Sequence, residues 1–335
     1  MHTGKSYRLP EFLAWTRRTI YLLLVLSIVP VLLYQLAGWK WLAVPWGVIL
    51  LVGTTAALSA GFKSVQTYNR MQDAQQAWSA IASASRIWAT SARDLAVDAD
   101  AARRLAYRHL GWLTALRYQM RQPRAWETLA AARNVEYRSR YVIPEREQPL
   151  ATELARYLSQ AETAQVIEAD NGALQVLSLQ GEASRTLLMD GGLDAAAFAE
   201  LQRQLRGLHE LQGRSERIKD FPYPRQHAFI NALFLRILCV LVPFGMLGEA
   251  ERLNGVVSGW AQGQMVWLTI PLSLLVSWMY TSLDQVGEST ENPFEGGAND
   301  VPISAICQDI ERDLREVLGE TGVPLPARQA GDITV

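Results

Sequence analysis

The chain has 335 residues, 49% of them hydrophobic, and 32 Lys and Arg against 33 Asp and Glu leave a net charge of −1. Its two cysteines, Cys239 and Cys307, have no metal spacing and imply no disulfide framework. The four histidines, at 2, 109, 209 and 227, are too scattered for a ligand cluster.

Apolar runs dominate the reading in chain order. Twenty-one uncharged residues separate Arg18 from Lys40, and 22 more separate Lys40 from Lys63. A bilayer core needs about 20 apolar residues per helix, so each run predicts a span. The first lacks a small-residue cleavage site and is followed closely by the second, which reads as a retained helix rather than a signal peptide. From Gln226 to Gly248 the single charge is Arg236, and residues 253–283 carry none. These predict spans three and four.

Lys5, Arg8, Arg17 and Arg18 precede the first span, only Lys40 lies in the loop after it, and Lys63 and Arg70 follow the second. Short-loop basic residues mark the cytoplasmic side, so both termini and the long middle segment are expected in the cytoplasm of a bacterium, with the spans in its inner membrane. Trp39, Trp41 and Trp46 fit an outer aromatic belt.

The expected organisation is a segment over 1–18, spans one and two within 19–63, a helical cytosolic domain over 64–225, spans three and four within 226–283, and a cytosolic segment over 284–335. Met71, Ala74, Trp78, Ile81, Ser85 and Trp88 recur at helical spacing with no Gly or Pro between them, so span two should continue into the polar domain as one helix. Asp98 or Asp100 is placed to cap the next helix. Pro123, Pro144 and Pro149 punctuate a looser stretch. A turn or cap signal at "ADNG" begins another helix, and a charge-laced helix from about Asp194 runs up to span three. No β-alternation of any length appears. The class is all-α, with a mobile polar tail expected after about residue 321.

Charge is unevenly placed. Residues 64–140 hold 12 Lys and Arg against 6 acidic residues, and residues 284–335 hold 3 against 11. No nucleic-acid module accompanies the basic helices, so a salt-bridging face, paired with the acidic C-terminal segment, is the favoured reading. No phosphate loop, nucleophile elbow, zinc helix or paired cysteine motif is present, which favours transport or scaffolding over catalysis.

Three stretches carry a family resemblance: "GFKSVQTYNRMQDAQQAW" after span two, "ERIKDFPYP" before a span that contains "LVPFG", and "YTSLDQVGESTENPFEGGANDVPISAICQDIERDL" after span four. Over about residues 5–320 the chain resembles the bacterial branch of the bestrophin family. The resemblance implies a homopentamer around a central pore lined by span two, with a neck in the membrane and an aperture at the cytosolic exit. It implies a channel for small monovalent ions. Animal members are calcium-activated chloride channels, which favours anions, and some bacterial relatives prefer cations.

Aligned on Gly53 and Gly61, the family's three neck rings fall on Leu51, Thr55 and Ser59, where family members usually carry bulky apolar residues. A wetter neck with Leu51 as its only apolar ring is the first expectation. Hydroxyls bonded within their own helix are the second. Gly53, Ala57, Ala60 and Gly61 would let copies of the helix approach closely. Ile218 matches the cytosolic aperture. Arg236, at membrane depth, needs a partner or a water-filled cavity, and pairing with Asp284 or an acidic neighbour is favoured. The turn at Asn292, Pro293, Phe294 and Asp300 matches the position of the animal calcium clasp. Its acidic residues are separated by glycines, so a structural lock is expected, with neither calcium activation nor any metal or cofactor. The expected partners are copies of the chain, lipid and ions, without nucleic acid. A non-conducting membrane scaffold is the reading from another class.

Overall fold

The computed structural model describes residues 1–2, 4, 8–128, 131–321 and 333–334. The expected mobile tail falls almost entirely outside the described residues. Among them the secondary structure is helical, apart from one isolated bridge between His2 and Ile333.

Among the described residues four segments are long and apolar enough to cross a membrane: Leu9–Gln35, Lys40–Leu95, Arg225–Asn254 and Met265–Ser289. They contain α1 (Leu9–Gln35), α2 (Trp46–Leu95), α10 (Arg225–Asn254) and α11 (Thr269–Ser289). α10 packs on α2 and α11, and α1 packs on α11. Three small apolar clusters hold the group together, around Val31 and Leu247, around Ile49 and Val242, and around Leu23 and Cys239.

α2 is a single helix of 50 residues. Its first part lies among the spans, and its second part enters the polar domain, as the periodicity predicted. The six residues at helical spacing from Met71 to Trp88 are all buried. They sit against α3 (Ala99–Arg121), α9 (Ala195–Asp220) and α12 (Ile303–Val317), so burial of one long stripe holds the extension in place.

Local signals set the remaining boundaries. Asp98 caps α3 by accepting from the backbone N–H groups of Asp100 and Ala101, which decides between the two candidates. The short helices α4 (Ala132–Arg138), α5 (Pro144–Glu147) and α6 (Leu150–Leu154) fill the proline-punctuated stretch. Ser159 and Glu162 form a reciprocal capping box on α7 (Gln160–Glu168). Asn171 caps α8 (Gly172–Met189), and Asp194 caps α9. One continuous core, including Trp78, Trp88, Trp112 and Phe294, joins α2, α3, α8, α9 and α12.

The small residues of α2 serve the protomer's own bundle more than expected. Gly53, Ala56 and Ala60 are buried. A Cβ on Gly53 would lie 3.6 Å from Leu238 Cδ1, and the Tyr280 hydroxyl donates to the Gly53 carbonyl at 3.4 Å. Ala57 and Gly61 alone among the four expected positions remain exposed. The tightest approach comes from the facing helix: a Cβ on Gly245 of α10 would stand 2.4 Å from Ile49 Cγ1. Only glycine fits there without displacing α2.

Candidate functional site

The face of α2 turned away from its own protomer includes Val48, 48% exposed, and Leu51, 70% exposed, and continues through exposed Thr55 to half-buried Ser59. Thr54 and Thr55 each donate a hydroxyl proton to the Leu51 carbonyl at 2.9 Å. Thr55 thus takes the second of the two expected arrangements, its hydroxyl bonding within its own helix and keeping only lone pairs for the outside. Leu51 shares this exposed face with other large apolar side chains. Leu58 and Phe62 are exposed at 63% and 62%, and Leu51, Thr55, Leu58 and Phe62 follow helical steps of four, three and four. The signal was present in the spacing, but an every-fourth-residue count drifts off this face at Ser59.

At the polar-domain end of the spans, Lys63 Nζ lies 2.8 Å from Asp284 Oδ1. Asn231 Nδ2 donates to the same oxygen at 2.8 Å. One carboxylate thus ties α2, α10 and α11 together. Lys63 thus holds the carboxylate that was the named candidate partner of Arg236. Arg236 is exposed, has no ion pair among the described residues, and lines a cavity of about 620 Å³ between α1, α10 and α11.

Ile218, near the C-terminal end of α9, is 5% exposed and belongs to the polar domain's core. Its backbone carbonyl accepts from Arg70 Nη2. Burial lowers the affinity of Arg70 for its proton, and Glu291 opposes that effect. Ile218 also lines a surface recess, beside Arg70 and Phe221. Phe221 next to it is exposed at 68% and shares that recess with Asn69, Asp73 and Arg217.

The turn after α11 is buried throughout its first six residues, from Glu291 to Gly296. Phe294 is 1% exposed, with its ring centroid 6.2 Å from that of Trp78. Arg121 Nη1 donates to the Phe294 carbonyl at 3.1 Å, and the Val301 N–H donates to the Pro293 carbonyl at 3.1 Å. Asp300 Oδ2 accepts from the N–H groups of Gly296 and Gly297 at 2.7 and 2.8 Å. Burial pushes the Asp300 carboxyl up, while Arg121 and these two donors pull it down. Gly296 has φ +91°, a conformation side chains rarely adopt. Glu295 accepts from Thr128, and Glu291 lies 3.4 Å from Arg225 Nη1. The acidic groups of the turn thus face donors of the protein itself, Asn292 is buried beside them, and no metal-holding group of His, Cys, Asp and Glu occurs among the described residues.

Basic helices meet the acidic C-terminal segment as the charge distribution suggested. Arg86 pairs with Asp313 at 2.7 Å and Arg103 with Glu320 at 3.2 Å. Deeper in, Arg117 Nε lies 3.0 Å from Glu145 Oε1, which also accepts from Ser304 at 2.6 Å.

Comparison with known proteins places this geometry. The family described as bacterial/fungal bestrophin protein matches residues 14–316. The voltage-dependent anion channel-forming protein YneE of Escherichia coli strain K12 is 24% identical over 291 residues, covering 87% of this chain and 82% of its own length. The voltage-dependent anion channel-forming protein mll4386 of Mesorhizobium japonicum is 24% identical over 310 residues, covering 88% and 87%. The crystal structure of a bacterial bestrophin homologue from Klebsiella pneumoniae superposes with a TM-score of 0.75 at 22% identity, covering 91% of this chain and 99% of that one. A family match across nearly the whole chain, a shared fold, and four helices of membrane-spanning length agree: the chain belongs to the bacterial/fungal bestrophin family.

Proposed function

We propose that the protein is a homopentameric channel in the bacterial inner membrane, with both termini in the cytoplasm, passing small monovalent anions passively. The observation that carries this reading is the exposed uncharged stripe Leu51, Thr55, Leu58 and Phe62 on a helix long enough to span the membrane. Lipid would accept the leucines and Phe62 equally well. A stripe that repeats on five copies also forms a narrow wall of three apolar rings and one hydroxyl ring, a construction suited to partial dewetting. The printed names of the relatives, anion channel-forming proteins, support the choice of anions.

A specific observation favours a second reading. Thr54 and Thr55 spend their protons on the Leu51 carbonyl, so the wall offers oxygen lone pairs, which suit cations better than anions. The discriminating experiment is the reversal potential of the purified protein in planar bilayers under a sodium chloride gradient. A value near the chloride equilibrium potential supports the anion channel, and one near the sodium potential supports the cation channel. Absence of current from a verified pentamer favours a scaffold.

A further inference from the structure

The outward face of α2 does not end with the membrane half. Eighteen residues make five helical turns, so Asn69, Asp73 and Gln76 stand under Leu51, Thr55 and Leu58, about 27 Å further along the same rod. All six are exposed. α9 meets this face from the side. Arg214 Nη2 lies 3.3 Å from Gln76 Oε1 and 3.5 Å from Asp73 Oδ1. Arg217 and Phe221 share with Asn69 and Asp73 an open recess of about 560 Å³. A solute that follows the stripe towards the polar domain therefore passes Arg217.

Free charge is scarce on that route. Leu51, Thr55, Leu58 and Phe62 carry none, and the Thr54 and Thr55 protons already go to the Leu51 carbonyl, so the stripe offers an anion no donor. Lys63 is buried against Asp284, and Arg70 donates to the Ile218 carbonyl. Arg214 holds Asp73, Arg124 holds Asp220 at 2.8 Å, and Lys219 is buried against Glu127. Arg217 is exposed and has neither an ion pair nor a side-chain hydrogen bond among the described residues. Arg206 and Glu210, one of each sign, lie on the same face of α9 but at least about 10 Å further from the spans. That is beyond the screening length of about 8 Å at physiological salt.

We infer that Arg217 gives the proposed channel its preference for anions, an inference that rests on the reading of this α2 face as the pore wall. In a homopentamer five guanidinium groups surround the cytosolic exit, and their summed field enriches chloride and depletes sodium there. A guanidinium is weakly hydrated and spreads its charge over a plane, so it attracts a halide without trapping it, as conduction requires. Phe221 beside it bears on the size of the permeant ion, and Arg217 on its sign. The oxygen lone pairs of the stripe then need not decide selectivity.

The test is the reversal potential of the purified full-length protein in planar bilayers under a sodium chloride gradient, compared with Arg217→Lys, Arg217→Gln and Arg217→Glu. Arg217→Lys is expected to keep the chloride-to-sodium permeability ratio, Arg217→Gln to lower it about threefold, and Arg217→Glu about tenfold or more. The differences are expected to shrink at about 1 M salt, where the screening length is about 3 Å. A ratio that stays native in Arg217→Glu overturns the inference and leaves the anion channel standing. A native protein that passes sodium, or no current, overturns the anion reading and this inference with it. Arg217→Cys supplies a second route should the charge reversal not assemble, because Cys239 and Cys307 are buried. Trimethylammonioethyl methanethiosulfonate is expected to restore the ratio in that variant, and the sulfonatoethyl reagent to lower it further. A ratio indifferent to both reagents overturns the inference.

Discussion

Lys63 and Asp284 form an ion pair at 2.8 Å across two spans, with side chains only 6% and 15% exposed. Neither group is easily rehydrated from that position, so the pair behaves as one unit. Removing one partner leaves a buried charge without compensation, a loss of about 3–5 kcal/mol. Asp284→Ala is expected to lower the thermal unfolding midpoint sharply, and Lys63→Met with Asp284→Leu to recover most of it. A double variant as unstable as the sum of the singles would show that the two residues act separately.

Within the proposed pore, shape should matter more than the Thr55 hydroxyl. Because that hydroxyl already donates to Leu51, Thr55→Val keeps the outline and loses only an outward lone pair. Single-channel conductance is expected within about twofold of the native value for Thr55→Val, and reduced about tenfold or more by Thr55→Phe, which narrows the same ring. Equal effects from the two variants would move the constriction elsewhere on α2.

Ile218 and Phe221 should separate stability from permeation. The buried Ile218 predicts a core defect of about 2–5 kcal/mol for Ile218→Ala, read by thermal melting. Phe221, exposed beside Arg217 and Asp73, predicts unchanged stability and altered relative permeability of large and small ions for Phe221→Ala, read by bi-ionic potentials. The opposite assignment would restore Ile218 to the aperture.

His109 gives the polar domain a defined acid sensitivity. Its ring stacks at 6.1 Å on Trp88 and lies 5.1 Å from Trp112, with Nε2 2.9 Å from Ser85 Oγ. Burial lowers its pKa from 6.5 to about 3. The unfolded chain therefore takes up a proton below pH 6.5 while the folded chain does not until about pH 3. Stability from this residue is complete above pH 6.5 and falls by about 1.4 kcal/mol per unit as pH drops through that window. Melting curves from pH 7 to 4 should show a shallower decline for His109→Gln than for the native protein.

The architecture was legible because its signals are long: four charge-poor runs, one uninterrupted stripe from Met71 to Trp88, and caps at Asp98, Asn171 and Asp194. The turn at Asn292 to Asp300 was also readable, since Pro293, Phe294 and the glycines fix local backbone. The partners of the charges were not legible. Arg236 and Lys63 are equally plausible mates for Asp284 by spacing, and only the packing of α10 brings Asn231 and Lys63 to the same oxygen. The face of α2 was half readable. Leu51 and Thr55 were placed outward, whereas the step to Leu58 and Phe62 depends on which small residues α10 and α11 bury. Ile218 shows the same limit: an apolar residue at a helix end reads alike whether it plugs a core or rims an opening.

The unbroken course of α2 carries a mechanical consequence. Its 50 residues make a rod of about 75 Å, with no proline inside and no glycine beyond Gly61. Such a rod transmits tilt instead of absorbing it at a hinge. With its far half clamped among α3, α9 and α12, a tilt of about 3° about Lys63, about 25 Å from the membrane end, displaces that end by about 1.3 Å. Anything that repacks the polar domain is thereby geared directly to the membrane half of α2, which lines the proposed pore, and the ion pair at Lys63 sits at the fulcrum.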